Sequence, residues 1–161
     1  MTKQRPSPII RNHSEVSAME KQEIKKRIIE GMKEKGLKLT RQRLEIIDIL
    51  TEKSHPSASS IFVEARKKEP SISLSTVYYT LDIMKRAGLI KELEFDDRDS
   101  RYDGDVSDHL NLVCKNCGKI EDFQSSKPVP LEKVEKKTGF RADSARFEYY
   151  GLCRECRLQS D

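Results

Sequence analysis

Four cysteines in two Cys-x-x-Cys pairs, Cys114 with Cys117 and Cys153 with Cys156, constrain this chain more than any other feature. Two thiolates spaced this way on a tight turn can reach one tetrahedral metal, and Gly118 eases the first turn. Two such pairs make a closed four-cysteine site. That is structural zinc chemistry, with no open position for catalysis. The alternatives are a redox dithiol or two disulfides, but a thioredoxin-like motif needs a βαβ context that neither pair has. The gap between the pairs is longer than in a compact zinc finger, so the metal is expected to tie the C-terminal segment back to the first hairpin.

The 161 residues suffice for one ordinary domain or two small ones. With 35% hydrophobic and 36% charged residues, the core must be modest, and a metal staple suits such a chain. No apolar run approaches transmembrane length, so no membrane partner is expected. The first residues carry no continuous apolar stretch of the secretory kind, and the expected location is the cytoplasm. Thiols are reduced there, which favours metal over disulfide. Charge is uneven: residues 1–91 hold 19 Lys/Arg against 11 Asp/Glu, and residues 92–161 hold 12 against 16. The basic half points to a polyanionic partner or to a solvated, helix-rich surface.

The pattern along the chain predicts an α+β protein. Residues 1–18 lack periodicity and read as a flexible tail containing His13. From Glu20, apolar residues Ile24, Ile28 and Met32 recur at helical spacing up to Gly36. Thr40 caps a second helix carrying Leu44, Ile47 and Leu50. A break at His55-Pro56 precedes a third helix from about Ser57, which ends before Pro70. A fourth helix with Val77, Leu81 and Met84 inside stops at Gly88. Two short strands around an acidic turn follow. Short helices and then a β-hairpin make a winged helix-turn-helix, with the fourth helix as recognition helix. The expected layout is a tail over 1–18, a winged-helix domain over 19–102, a hinge over 103–107, and a small α/β domain over 108–161. In that last domain "HLNLVC" and "KIEDF" flank the first knuckle, Pro130 to Thr138 is a short helix, and "FRADSARFEYYGLC" leads to the second knuckle. Its strand edges and sparse core invite pairing with a second copy.

A second constellation surrounds the first knuckle. In a strand, His109, Asn111 and Val113 share one face. If the knuckle closes a hairpin with Cys114 opposite Lys119, Asn111 lies opposite Asp122, and Asp103 is just upstream. The plain reading is that His55 caps a helix and His109 sits on a half-exposed strand. Spacing alone favours that reading over metal ligation.

"LTRQRLEII", "HPSASSIF", "SLSTVYYTLDIMKRAGLI" and "DHLNLVCKNCGKIEDF…GLCREC" occur in an order that resembles the ferric uptake regulator family, over roughly residues 20–157. The resemblance implies a homodimeric, metal-dependent transcriptional repressor that binds double-stranded operator DNA, with the α/β domain serving dimerisation. It implies a structural zinc on Cys114, Cys117, Cys153 and Cys156, and a regulatory site of His55, Asp103, His109, Asn111 and Asp122 that draws on both domains. It also implies that Ser75, Thr76, Tyr78 and Tyr79 face the major groove, while Lys38, Arg41 and Arg43 contact phosphates or the minor groove.

Within the family the chain looks most like the peroxide-sensing branch, because iron sensors more often carry Glu where this chain has Asp122. No cysteine is left over for a zinc-sensing site, and "FRADSARFEYY" holds no histidine for a further site beside Asp108. Two residues depart from the family pattern. Asn111 stands where a second histidine is common, and an amide oxygen suits Fe(II) or Mn(II) better than zinc or copper. Tyr79 stands where Arg is frequent, so a bidentate guanine contact is lost. In the peroxide-sensing branch, iron-promoted oxidation of a ligand histidine releases the DNA, and His55 and His109 are the residues in question. The alternatives are an iron- or manganese-uptake regulator without peroxide sensing, and a zinc-ribbon interaction module that binds no DNA. An enzyme is not expected, since no separate nucleophile or general base with a pocket signature appears.

Overall fold

The computed structural model describes residues 10–11, 18–95, 98–107, 109–123, 131–142 and 145–159. His13, Asp108, Pro130 and most of the segment read as a tail lie outside them. The chain divides into two compact units. One spans residues 16–107, and the other is formed by residues 108–161 with an N-terminal strand.

In the first unit, α1 (Ala18–Glu34), α2 (Arg41–Glu52), α3 (Ala58–Lys68) and α4 (Leu74–Arg86) precede the antiparallel pair β2 (Lys91–Leu93) and β3 (Arg101–Asp103). This is a winged helix. Its N-caps are encoded locally: Thr40 Oγ1 accepts from Arg43 N, Ser57 Oγ from Ser60 N, and Ser73 Oγ from Thr76 N. Gly88, at φ 69°, follows the α4 cap, a left-handed position that glycine fills without strain. Ile28, Met32, Ile46, Ile47, Ile61, Val77, Leu81 and Met84 are buried and fill one core. Each buried aliphatic side chain of this kind stabilises the fold by roughly 1.5–3 kcal/mol relative to exposure.

In the second unit, β4 (Leu110–Cys114), β5 (Ile120–Phe123) and β6 (Glu148–Gly151) join β1 (Ile10–Arg11) in a four-stranded sheet of order β1-β5-β4-β6. α5 (Leu131–Thr138) lies between β5 and β6 in the chain, and α6 (Arg154–Leu158) follows β6. The hairpin register is the one anticipated: Cys114 N donates to Lys119 O, and Asn111 pairs with Asp122.

Three features differ from expectation. Ile10 and Arg11, placed in a flexible tail, pair with Phe123 and Asp122, because the edge of β5 offers free backbone groups. Helix α1 begins at Ala18, inside that same segment. Asp103, the first residue of the expected hinge, ends β3, where it pairs with Lys91.

Candidate functional site

The second knuckle turns directly from β6 into α6, with Cys153 at the helix N-cap and Cys156 within the helix. Parallel pairing of Cys114 with Gly151 sets β6 beside β4 and delivers this knuckle to the first one. At the first knuckle Gly118, at φ 74°, donates its N–H to Cys114 O. The four sulfur atoms lie within 4.8 Å of one another. Cys117 Sγ and Cys153 Sγ are 3.7 Å apart, well beyond a disulfide bond and close to the edge of about 3.8 Å in a tetrahedron with Zn–S bonds of about 2.3 Å. Backbone N–H groups of Cys117, Cys153 and Asn116 bring the Cys114 thiol down to about 6. At Cys153 the Cys156 N–H favours the thiolate, but burial and hydrogen bonds with Glu155, Cys156 and Cys114 outweigh it and carry the thiol up to about 12. Four thiolates this close repel one another unless a cation holds them, so the donor set fits zinc.

The first unit builds a His/Asp pair. Strand β3 runs along the segment before α3: Arg101 Nη1 donates to His55 O, and Tyr102 N donates to Pro56 O. This brings Asp103 Oδ2 to 3.6 Å from His55 Nε2. Both residues are buried, at 7% and 3% exposure. Two metal bonds of about 2.1 Å reach across up to about 4.2 Å, so one ion can bind both atoms. Asp103 Oδ1 accepts from Asp105 N, which leaves Oδ2 aimed at the histidine. His55 Nδ1 is 3.0 Å from Ser54 Oγ. In the tautomer that donates there, the Nε2 lone pair is available to a metal. His55 holds a left-handed φ of 43°, the sole non-glycine residue to do so among the described residues. Backbone strain of this kind concentrates at functional sites. The helix cap is Ser57, so the expectation that His55 merely caps α3 does not hold.

The second unit builds another pair. His109 Nε2 lies 3.7 Å from Asp122 Oδ1. His109 and Asn111 are 8% and 6% exposed, so the half-exposed strand expected for His109 is also corrected. Sequence reading missed Glu148, which pairs with Asn111 on the other side of β4. A parallel pairing closed through a helix leaves no local signal.

On α4, Ser75 is exposed, and Tyr78 and Tyr79 are 47% and 62% exposed. The Thr76 hydroxyl is 2.8 Å from Ser73 Oγ at the helix cap. Lys38 and Arg41 are exposed, and Arg41 pairs with Glu69 at 2.9 Å. Arg43 Nη1 donates to Lys38 O, which also gives Arg43 a role inside the loop before α2.

A model of the ferric uptake regulator family matches residues 34–150. The chain belongs to the ferric uptake regulator family. The peroxide operon regulator of Bacillus subtilis (strain 168) is 39% identical over 133 residues, 81% of this chain and 92% of the relative. Two solved family structures are similar over nearly their whole length. The Helicobacter pylori ferric uptake regulator, with three functional metal-binding sites, is 28% identical at a TM-score of 0.65 over 85% of this chain and 93% of its own. The Campylobacter jejuni peroxide stress regulator is 28% identical at a TM-score of 0.58 over 84% and 97%. Among the described residues, no helix of this family member is long and apolar enough to cross a membrane.

Proposed function

We propose that this protein is a metal-dependent repressor that binds operator DNA as a homodimer and releases it in response to peroxide. A structural zinc sits on Cys114, Cys117, Cys153 and Cys156. A regulatory Fe(II) or Mn(II) is held by His55, Asp103, His109, Asn111 and Asp122. The observation that carries the reading is a His/Asp pair in each unit, buried His55 with buried Asp103 and buried His109 with partly buried Asp122, each spaced for shared ligation. Two half-sites joined by one ion link metal affinity to the arrangement of the winged helices, and so to DNA affinity.

The protein's own residues supply the rest. The exposed Tyr78 and Tyr79 of α4 meet base edges or phosphates, and Lys38 and Arg41 add phosphate contacts. Edge strand β6 and the turn after it expose Tyr149 and Leu152, an apolar surface that supports self-association. His55 and His109 hold their ring nitrogens toward carboxylates in buried surroundings, so these imidazoles would lie beside a bound metal. Fe(II), when bound, would donate the electron that reduces hydrogen peroxide to the species that oxidises a nearby side chain, a step Mn(II) would not support. A second reading, Mn(II) or Fe(II) sensing without peroxide chemistry, draws on the amide oxygen of Asn111 in place of an imidazole.

Fluorescence anisotropy with DNA from the protein's own promoter tests the proposal. Protein that retains zinc but is cleared of other metal should bind weakly. Added Mn(II) should tighten binding, and salt should weaken it again. Equal affinity with and without Mn(II) would overturn the regulatory role.

A further inference from the structure

Strand β4 is flanked on both sides, and the register puts Asn111 between two carboxylate residues. It pairs with Asp122 on antiparallel β5 and with Glu148 on parallel β6. Residues paired across strands project from the same face, so Asp122, Asn111 and Glu148 form one row. His109, two residues before Asn111, shares that face.

The row is rich in acceptors. Asn111 is 6% exposed, and its Oδ1 has no hydrogen-bond partner among the described residues. Glu148 Oε1 is buried and likewise has none. The other carboxylate oxygen, Oε2, accepts from the Tyr150 hydroxyl on the same strand, which fixes the carboxylate's orientation. An amide oxygen and a carboxylate oxygen on neighbouring strands, both removed from water and both lacking a donor, are costly to bury. A cation removes that cost for both at once.

We infer that Glu148 is a further ligand of the regulatory metal, a carboxylate from β6 that offsets the imidazole missing at Asn111 and biases the site toward Mn(II) and Fe(II) over Zn(II). This rests on the regulatory-site reading above. With Asn111 and Glu148, the donors of the second unit become one nitrogen and three oxygens. Hard, oxygen-dominated sets suit Mn(II) and disfavour the softer competitors that would otherwise win on intrinsic affinity.

The test is a Mn(II) titration of the full chain with its cysteine zinc retained. Free Mn(II) is followed by electron paramagnetic resonance, with Zn(II) competition in parallel. Glu148→Gln keeps the shape and should weaken Mn(II) binding by about tenfold or more, with a smaller loss for Zn(II) and no change in cysteine-bound zinc. Tyr150→Phe, which releases Oε2, should shift Mn(II) affinity in the same direction by less. Adding Asn111→His to Glu148→Gln should restore affinity and tilt the preference to Zn(II). That rescue is one a purely structural Glu148 would not give.

If Asp122→Asn weakens Mn(II) binding while Glu148→Gln leaves both affinity and the Mn(II)/Zn(II) ratio unchanged, the role of Glu148 is wrong and the regulatory site stands. In that case Glu148 takes no part in metal binding. If the wild-type chain binds no Mn(II) beyond its cysteine zinc, the regulatory-site reading and this inference fail together.

Discussion

His55 Nε2 and Asp103 Oδ2 lie 3.6 Å apart, although two helices and a strand separate the residues in the chain. The contact follows from β3 docking on the segment before α3, where His55 and Pro56 carbonyls accept from Arg101 and Tyr102. One side-chain and one backbone hydrogen bond therefore preset the pair before any metal arrives.

His55 holds this position at a φ of 43°, a conformation that costs a non-glycine residue about 1–3 kcal/mol and that Asn tolerates better. His55→Asn is therefore expected to melt at or near the wild-type temperature when metal-free. Its Mn(II)-dependent DNA binding should fall by about tenfold or more. Thermal melts and anisotropy titrations on the same preparation check both halves.

Arg27 ties the end of the first unit to α1. Its Nη2 donates to Leu89 O and to Gly104 O, the residue after Asp103. A Cβ on Gly104 would meet Ile24 Cγ2 at 3.0 Å, so α1 packs closely here. Arg27→Met should destabilise the fold by about 2 kcal/mol, the loss of charged donors to buried carbonyls. Gly104→Ala should cost about 1 kcal/mol through overpacking. Urea denaturation measures both, and wild-type midpoints would remove the anchoring role.

Glu92 gives the winged helix an acid-sensitive element. Burial raises its pKa, but hydrogen bonds from Lys85, Ser100 and Tyr102 outweigh that and hold it below the ordinary value. A carboxylate depressed in the folded state stabilises the fold above its unfolded pKa of about 4.3. That contribution is lost as pH falls through the lower folded value. Glu92→Gln should thus be less stable than wild type at neutral pH by about 1 kcal/mol, and the gap should close in acid below about pH 4. A pH-independent gap would assign the loss to packing.

Removing one cysteine tests the structural zinc. Cys153 sits at the N-cap position of α6 and donates its N–H to Cys114 Sγ, so it joins the two knuckles. Cys153→Ser should lose bound zinc and unfold the second unit early. Mass spectrometric metal analysis and calorimetry report the two effects, and full zinc content with an unchanged melt contradicts the assignment.

Local signals made much of this legible in the sequence. Thr40 and Ser57 announce helix starts, and the Cys-x-x-Cys turn sets the hairpin register that pairs Asn111 with Asp122. What stayed hidden is non-local. The pairing of Ile10–Arg11 with β5 depends on an available sheet edge, and the pairing of Glu148 with Asn111 depends on a parallel crossover through α5. The burial of His55 likewise comes from a strand that begins beyond α4. Spacing could not weigh that against an ordinary helix cap.

The most direct measurement loads the regulatory site with Fe(II) or Mn(II), adds hydrogen peroxide, and reads promoter-DNA binding together with the masses of peptides containing His55 and His109. The Fe(II) form is expected to gain oxygen on one of these histidines and release DNA, while the Mn(II) form keeps both its mass and its DNA. An Fe(II) form that retains DNA and unmodified His55 and His109 after peroxide would contradict peroxide sensing.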